Sequence, residues 1–128
     1  MSIVALTQTL TIGIAGALGA LARYLLGHFI TKRYGSRIPY GTLIINVSGA
    51  FVIGLISAFA GRKLISPELQ AILATGFLGG YTTFSTMNSE SLQLARGGST
   101  RLSMLYLRGS LLLGLAAATA GVALGWWF

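Results

Sequence analysis

The sequence predicts an all-α membrane protein made of four transmembrane helices, with the third helix broken near Gly79–Thr82. Composition supports the membrane assignment, since 54% of the 128 residues are apolar and 9% are charged, whereas soluble domains carry about 25% charged residues. The apolar residues form four runs, each close to the ~20 residues that cross ~30 Å of hydrocarbon. The length suits one such bundle, so we expect a single domain over residues 1–128.

The four apolar runs cover, within a few residues, positions 4–29, 41–60, 67–94 and 102–128. Before the third run, Ser66, Pro67 and Glu68 have the order of an N-cap, a first helical residue and an acidic first turn. Gly121 and Gly125 form a GxxxG pattern in the fourth run. This spacing predicts close helix packing, because small residues let helix backbones approach in lipid.

The formal net charge of +7 comes from basic residues that lie mostly between the apolar runs. We expect these residues to contact lipid headgroups rather than nucleic acid. If the chain crosses four times, the first and third connections carry five basic residues on one side and the second connection carries two on the other. The excess favours the first and third connections in the cytoplasm, but it is small enough to be compatible with insertion in both orientations.

The rare residue types exclude several function classes. The chain has no cysteine, no aspartate and one histidine, so it lacks the side chains of thiolate metal sites and of Ser-His-Asp catalysis. We therefore expect no enzymatic activity. The two acidic residues, Glu68 and Glu90, fall near the ends of the third run, whereas a proton-coupled transporter generally needs a carboxylate at mid-membrane. A passive pore is the class that remains.

The stretch GFLGGYTTFSTM, residues 76–87, changes from apolar to hydroxyl-bearing side chains after Gly79–Gly80. The glycine pair predicts either a simple kink or a helix break that exposes backbone groups, which membranes tolerate only inside protein or beside a cavity. Exposed carbonyls bind cations and exposed N–H groups bind anions. If the helix resumes at Thr82, then Thr82, Ser85 and Ser89 form one polar stripe, with two further threonines beside it.

Other polar side chains lie inside the apolar runs. Asn46 falls deep in the second run, where its amide either forms an interhelical hydrogen bond or faces a water-filled path. Tyr106 and Ser110 share one face of the fourth run with Ser103. These groups offer hydrogen-bond donors and almost no negative charge, which favours a small anion over a cation. Phenyl edges are electropositive as well, although Phe84 and Met87, taken alone, favour ordinary packing.

A family resemblance lies in four segments: GALGALARYLLG, GTLIINVSGAFVIG, GFLGGYTTFSTM and the region from Tyr106 to Ser110. With these motifs in this order, essentially the whole chain resembles the Fluc (CrcB-type) fluoride channels. The resemblance implies a multi-pass protein of the bacterial inner membrane that passively exports fluoride and so relieves fluoride toxicity. It also implies an antiparallel, dual-topology homodimer with two pores, whose partners are lipid and a second copy, with no nucleic acid and no other protein required.

The resemblance also implies roles for individual residues. Asn46 would be the pore amide, Arg23 a structural arginine of the vestibule, and the carbonyls of Gly79 and Thr82 the ligands of a central structural sodium ion. The implied fluoride pore residues are Thr42, Asn46, Phe84, Ser85, Thr86, Met87, Tyr106 and Ser110. Met87 stands where the family typically has a second phenylalanine. Because methionine keeps bulk and polarizability, we expect conduction to be retained.

Two alternatives remain open at this point. Small multidrug-type transporters resemble the chain in size and dual topology, but they depend on a carboxylate in the first helix, and residues 1–29 contain none. A membrane subunit that only packs against others would instead tolerate apolar replacement of Asn46 and of the hydroxyl-bearing residues 82–86.

Overall fold

The computed structural model describes residues 2–128, so residue 1 of the expected domain lies outside the described residues. The elements in chain order are α1 (Ile3–Tyr34), α2 (Tyr40–Gly61), α3 (Pro67–Gln70), a π-helical segment (Ala71–Leu78), α4 (Gly79–Tyr81), α5 (Phe84–Arg96) and α6 (Thr100–Trp127). All regular structure within residues 2–128 is helical, which confirms the predicted all-α class. The first run continues beyond its predicted end, because α1 stays helical to Tyr34.

Three helices, α1, α2 and α6, are long and apolar enough to cross a membrane. The third predicted span is divided instead: α3, the π-helical segment and α4 follow one another without a gap from Pro67 to Tyr81, and α5 forms a second half. We call residues 67–96 the broken helix. At ~1.5 Å per residue, neither half alone covers ~30 Å of hydrocarbon. A fourth crossing therefore needs both halves together, and it stays a prediction.

The helix break lies inside the predicted region, but the glycine pair does not cause it. Gly79 has helical dihedral angles, with φ −61° and ψ −36°, and α4 includes both glycines. Thr82 and Thr83 are extended instead, with ψ of 155° and 111°. The helix resumes at Phe84 and not at Thr82, so the expected stripe of Thr82, Ser85 and Ser89 does not form on α5.

Local signals set the helix ends as expected. The Ser66 hydroxyl accepts a hydrogen bond from the Leu69 N–H at 3.1 Å, which confirms the predicted N-cap of α3. At the C-terminal end of α6, Arg62, which follows α2, donates to the Gly125 carbonyl at 2.8 Å. Its guanidinium lies 6.0 Å from the centre of the Trp126 ring. A cation is favourable at a helix C-terminus, so this contact ties the ends of α2 and α6 together.

Glycines make the closest contacts between helices. The helix α2 packs mainly on α6, while α1 packs on the π-helical segment and α4. A β-carbon at Gly121 would lie 2.1 Å from the Phe51 carbonyl oxygen, and one at Gly80 would lie 2.1 Å from the Gly16 carbonyl oxygen. Neither position has room for a side chain, so the predicted role of Gly121 in close packing is confirmed. Gly80 serves the same purpose, and this is why glycine occurs just before the break.

The outside of the bundle is apolar. Leu112, Leu115 and Trp127 on α6 are 68%, 69% and 85% exposed, and many other large apolar side chains of the three long helices are exposed as well. A soluble monomer rarely exposes so much contiguous apolar surface. Together with the long apolar helices, this surface indicates a multi-pass membrane protein.

Gly121→Ala should destabilise the subunit by about 1–3 kcal/mol, because the added methyl group must push α6 away from α2. The matched control is Gly114→Ala on the same helix, where a β-carbon meets no atom within 4 Å and alanine raises helix propensity. The midpoint of thermal unfolding in detergent should therefore be equal to or higher than that of the parent chain for Gly114→Ala, and clearly lower for Gly121→Ala. Equal midpoints for the two variants would contradict the packing described for Gly121.

Candidate ion pathway at the helix break

Asn46 on α2 pairs with the backbone of the broken helix. Its Nδ2 donates to the Thr83 carbonyl at 3.0 Å, and the Thr83 N–H donates to its Oδ1 at 2.9 Å. The amide thus satisfies both backbone groups of an extended residue, as a neighbouring β-strand would. An unpaired backbone group at membrane depth is costly, so the Asn46–Thr83 pair makes the break tolerable there. Of the two predicted alternatives for Asn46, the interhelical hydrogen bond is present.

The threonines at the break redirect the hydrogen bonds of the helix. In an unbroken helix the N–H of Thr83 would donate to the Gly79 carbonyl and the N–H of Thr86 to the Thr82 carbonyl. The Thr83 N–H donates to Asn46 instead. The Thr86 N–H donates at 3.2 Å to the hydroxyl of Thr83, which serves as the N-cap of α5. The carbonyls of Gly79 and Thr82 therefore lose their helical donors.

Two cavities meet at Thr83. The entry cavity, of about 520 Å³, lies between α1, α2 and α5, and its lining includes Arg23, Thr42, Thr83, Thr86 and Glu90. The break cavity, of about 360 Å³, is lined by residues that include Asn46, Gly79, Thr82, Thr83, Phe84 and Met87. Since Thr83 lines both cavities, they adjoin at the break, and their walls are mostly apolar. We call the polar side chains around Thr83 that stand in these walls the polar region. Asn46 lines the break cavity in addition to bonding Thr83, and its place beside a water-filled path stays a prediction.

Phe84 and Met87 line the same cavity from different environments. Met87 is 3% exposed and lies in the interior of the bundle, whereas Phe84 is 65% exposed on the surface of the subunit. The two side chains are three residues apart on α5, but only Met87 is enclosed by the subunit itself. The Phe84 ring is free to contact a neighbouring molecule.

A cluster of polar side chains joins α2, α5 and α6 beside the entry cavity. The Thr42 hydroxyl donates to the Glu90 carboxylate at 2.5 Å. The Tyr106 hydroxyl lies close to Thr42 and Glu90 but has no partner of normal hydrogen-bond geometry among residues 2–128, and the Ser110 hydroxyl is likewise buried without one. We call the hydroxyls of Tyr106 and Ser110 the orphan hydroxyls. A buried polar group without a partner costs about 1–3 kcal/mol, which points to a role other than stability.

Not every predicted polar residue joins this region. Ser85 is exposed, lines neither of the two cavities, and has only a 3.5 Å contact with the Thr83 hydroxyl. Ser103 belongs to the same face of α6 as the orphan hydroxyls, but its hydroxyl donates to the Ser91 carbonyl at 2.7 Å and lies 2.8 Å from the Ser91 hydroxyl. Ser103 therefore joins α5 to α6 instead of extending the polar region.

The sequence analysis gave no role to Thr83 or Glu90 in the site. Thr83 caps α5 and holds Asn46, while Glu90 accepts a hydrogen bond from the Thr42 hydroxyl and lines the same cavity as Arg23. The spacing of positions 83, 86 and 90 places all three side chains on one face of α5. This signal was present in the sequence, but it depends on starting the helix at Phe84 rather than at Thr82.

Comparisons with a family model and with individual proteins indicate the same family. A family model described as CrcB-like protein, Camphor Resistance (CrcB), matches residues 10–122. The chain is 44% identical over 117 residues to a protein of Acidobacterium capsulatum, covering 91% of this chain and 94% of that one. It is 41% identical over 120 residues to a protein of Rhizobium meliloti, covering 93% and 96% of the two chains. A Thermus thermophilus protein is 42% identical over 116 residues, covering 91% of each. All three are named fluoride-specific ion channel FluC.

Replacing Asn46 by leucine should loosen the helix break. The Thr83 N–H and carbonyl would lose both partners, and an unsatisfied buried group costs about 1–3 kcal/mol. Hydrogen–deuterium exchange at the Thr83 amide should accelerate by roughly 10- to 100-fold, since ~1.4 kcal/mol corresponds to a factor of ten. The control is Ser48→Ala on the same helix, which removes a contact to the Tyr81 hydroxyl and a bond to the Ile45 carbonyl of its own helix but leaves the Thr83 backbone untouched. Unchanged exchange in Asn46→Leu would show that the Asn46–Thr83 pair does not hold the break.

Proposed function

The chain belongs to the CrcB-like family, and from this premise we propose that it forms a fluoride-selective channel that passively exports fluoride and relieves its toxicity. The similar proteins of three bacteria are named as fluoride-specific channels, and the similarity covers nine-tenths or more of both partners. This is a family of channels, so the chain is a transport protein and not an enzyme. The structural observation that carries the proposal is that the hydroxyls of Tyr106 and Ser110 on α6 are buried without a partner among residues 2–128, although neither residue lines the entry cavity or the break cavity.

Hydrogen-bond donors determine which ion such a path favours. An ion that enters a narrow pore must exchange its water for groups of the protein, and a small anion exchanges it for donated hydrogens. The hydroxyls of Tyr106 and Ser110 have no protein partner, so both can donate to an anion without breaking an existing bond. Each residue is 6% exposed, and a donor at such a depth interacts more strongly with a charge than it does in water.

The proposed route begins in the entry cavity and passes Thr83 into the break cavity. Arg23 supplies positive charge at the entry, which raises the local concentration of anions. Glu90 accepts a hydrogen bond from the Thr42 hydroxyl and so fixes that hydroxyl near Tyr106. Further along, Asn46 and Met87 line the break cavity, where the weakly positive methyl group of Met87 takes the place of a phenyl edge.

The residues present fit a structural sodium ion at the break. Sodium is a hard cation that binds oxygen, and the carbonyls of Gly79 and Thr82 are among those that lose their helical donors at the break. Both residues line the break cavity, and Gly79 is exposed at the subunit surface. When bound, the ion would supply positive charge that neutralises the bared carbonyl oxygens. A second copy of the chain would complete the coordination with its own carbonyls.

The proposed assembly is an antiparallel dimer with two pores in a bacterial inner membrane. Phe84 is 65% exposed although it lines the break cavity, so a second subunit packed there would enclose its ring as part of the pore wall. The small difference in basic residues between the two sides of the membrane is compatible with both insertion orientations. The remaining site residues of the proposal, Ser85 and Thr86, stand next to Phe84 at the start of α5.

Proteoliposomes that contain the chain should release fluoride down its gradient, with no comparable release of chloride. We expect flux with the natural Met87, and a change of less than about tenfold for Met87→Phe, because both side chains are bulky and polarizable and can turn an electropositive edge or methyl group toward an anion. A fluoride electrode outside the vesicles measures the flux, and sodium on both sides is varied as a separate arm.

The outcome distinguishes the proposal from its alternatives. Flux that appears only with Met87→Phe would refute the expectation for Met87. Uptake of a cationic dye driven by a proton gradient, without fluoride flux, would support a small multidrug-type transporter instead. Full flux in Asn46→Leu would indicate that the polar region is only structural.

Tyr106→Phe tests the orphan hydroxyls directly. The variant keeps the ring and removes a hydroxyl that has no protein partner, so fluoride flux should fall about tenfold, in line with a lost hydrogen bond to a charge of ~1.5–3 kcal/mol. Thermal stability should stay equal or rise, because a buried unsatisfied group is removed. Tyr34→Phe, at the exposed end of α1, serves as the control. Unchanged flux, or a marked loss of stability, would contradict the donor role of Tyr106.

A further inference from the structure

The only histidine of the chain lies at the entry cavity. His28 is on the same face of α1 as Arg23, Tyr24 and Thr31, and all four residues line that cavity. The rings of Tyr24 and His28 stack with centroids 6.2 Å apart and an angle of 14° between their planes. The stacking holds the imidazole at the cavity wall, although His28 itself is exposed. Neither the polar cluster nor the helix break uses this side chain.

Charged groups from two helices line this cavity, and one from a third segment lines the cavity beside it. Arg23 comes from α1 and Glu90 from α5, while Arg37, in the connection between α1 and α2, lines a smaller adjoining cavity of about 220 Å³ that Glu90 also lines. Lys32 is one turn beyond His28 on α1. Arginine, lysine and tyrosine side chains do not ordinarily change charge between pH 6 and 8, whereas an imidazole ordinarily does.

We infer that His28 is a proton-dependent anion attractor at the mouth of the pathway, so that fluoride enters more readily as the pH falls. The inference rests on the proposed function, since fluoride is the anion that it concerns. When the imidazole is neutral, the positive charge of Arg23 and the negative charge of Glu90 offset each other in the entry cavity. Protonation of His28 adds one positive charge there and raises the local anion concentration. For a single charge in a partly open cavity the effect on flux is roughly two- to fivefold.

The test compares fluoride flux at pH 6 and pH 8, with the same pH on both sides of the vesicle membrane. The ratio of fluoride flux at pH 6 to fluoride flux at pH 8 should be about two to five for the parent chain and close to one for His28→Gln. His28→Arg carries a fixed charge and should match the parent at pH 6 while losing the pH dependence. Lys32→Gln, which removes a cation that does not line the cavity, should keep the parent ratio. Protein-free vesicles at each pH correct for leakage of undissociated acid.

Ionic strength separates an electrostatic effect from a structural one. In about 1 M inert salt, where the Debye length falls to ~3 Å from ~10 Å at 0.1 M, the ratio for the parent chain should approach one. A ratio that is unchanged in His28→Gln would overturn the inference and direct attention to Glu90 or the terminal amine. A ratio that persists in high salt would overturn it as well.

A second measurement does not depend on conduction. Because linkage is reciprocal, fluoride should move the titration of the single imidazole to higher pH when followed by NMR in detergent, with sodium isethionate as the control salt. No movement with fluoride would overturn the inference even if flux were pH-dependent. Absence of flux in the parent chain at both pH values would contradict the proposed channel function instead, and the NMR titration would still decide the role of His28.

Discussion

The structure depends on satisfying backbone hydrogen bonds where a membrane helix stops being helical. Hydrocarbon offers no water to an unpaired N–H or carbonyl, so an extended residue inside an apolar bundle needs a protein partner. Asn46 supplies that partner, because its amide bonds both the N–H and the carbonyl of Thr83. With Thr83 held in this way and capping α5, the carbonyls of Gly79 and Thr82 are released from their helical donors. One side chain on α2 thus stabilises the extended backbone at the break together with its bared carbonyl oxygens.

Close packing supports the break from both sides. Gly80 sits immediately before it and touches α1 so closely that no side chain fits, while Gly121 brings α6 equally close to α2. The broken helix is therefore held against α1, and α6 is held against α2, by backbone-to-backbone contact. Such contacts replace the hydrophobic drive that is absent in lipid. They also fix the distance at which the side chains of Asn46 and Tyr106 face the broken helix.

The polar region combines groups that are satisfied with groups that are not. The pairs Ser91–Ser103 and Asn46–Thr83 are fully hydrogen-bonded and position the helices. The Tyr106 hydroxyl remains unpaired among the described residues, as does that of Ser110 on the next turn of α6. A fold under selection for stability alone would pair or remove such hydroxyls, since leaving them unpaired is unfavourable.

The sequence by itself determined the membrane class, the positions of the long helices, the cap at Ser66 and the region of the break, because hydrophobic runs and capping residues act locally. It also marked Asn46 as a residue that needs a partner in the membrane. Only the tertiary structure decided that the break falls at Thr82–Thr83 and that Gly80 is a packing residue. It likewise decided that Ser103 is paired while Tyr106 is not, and that Glu90 faces Arg23 across one cavity. These outcomes depend on which groups of distant helices meet, and hydrogen-bond partners 37 or more residues apart leave no periodic signal in the chain.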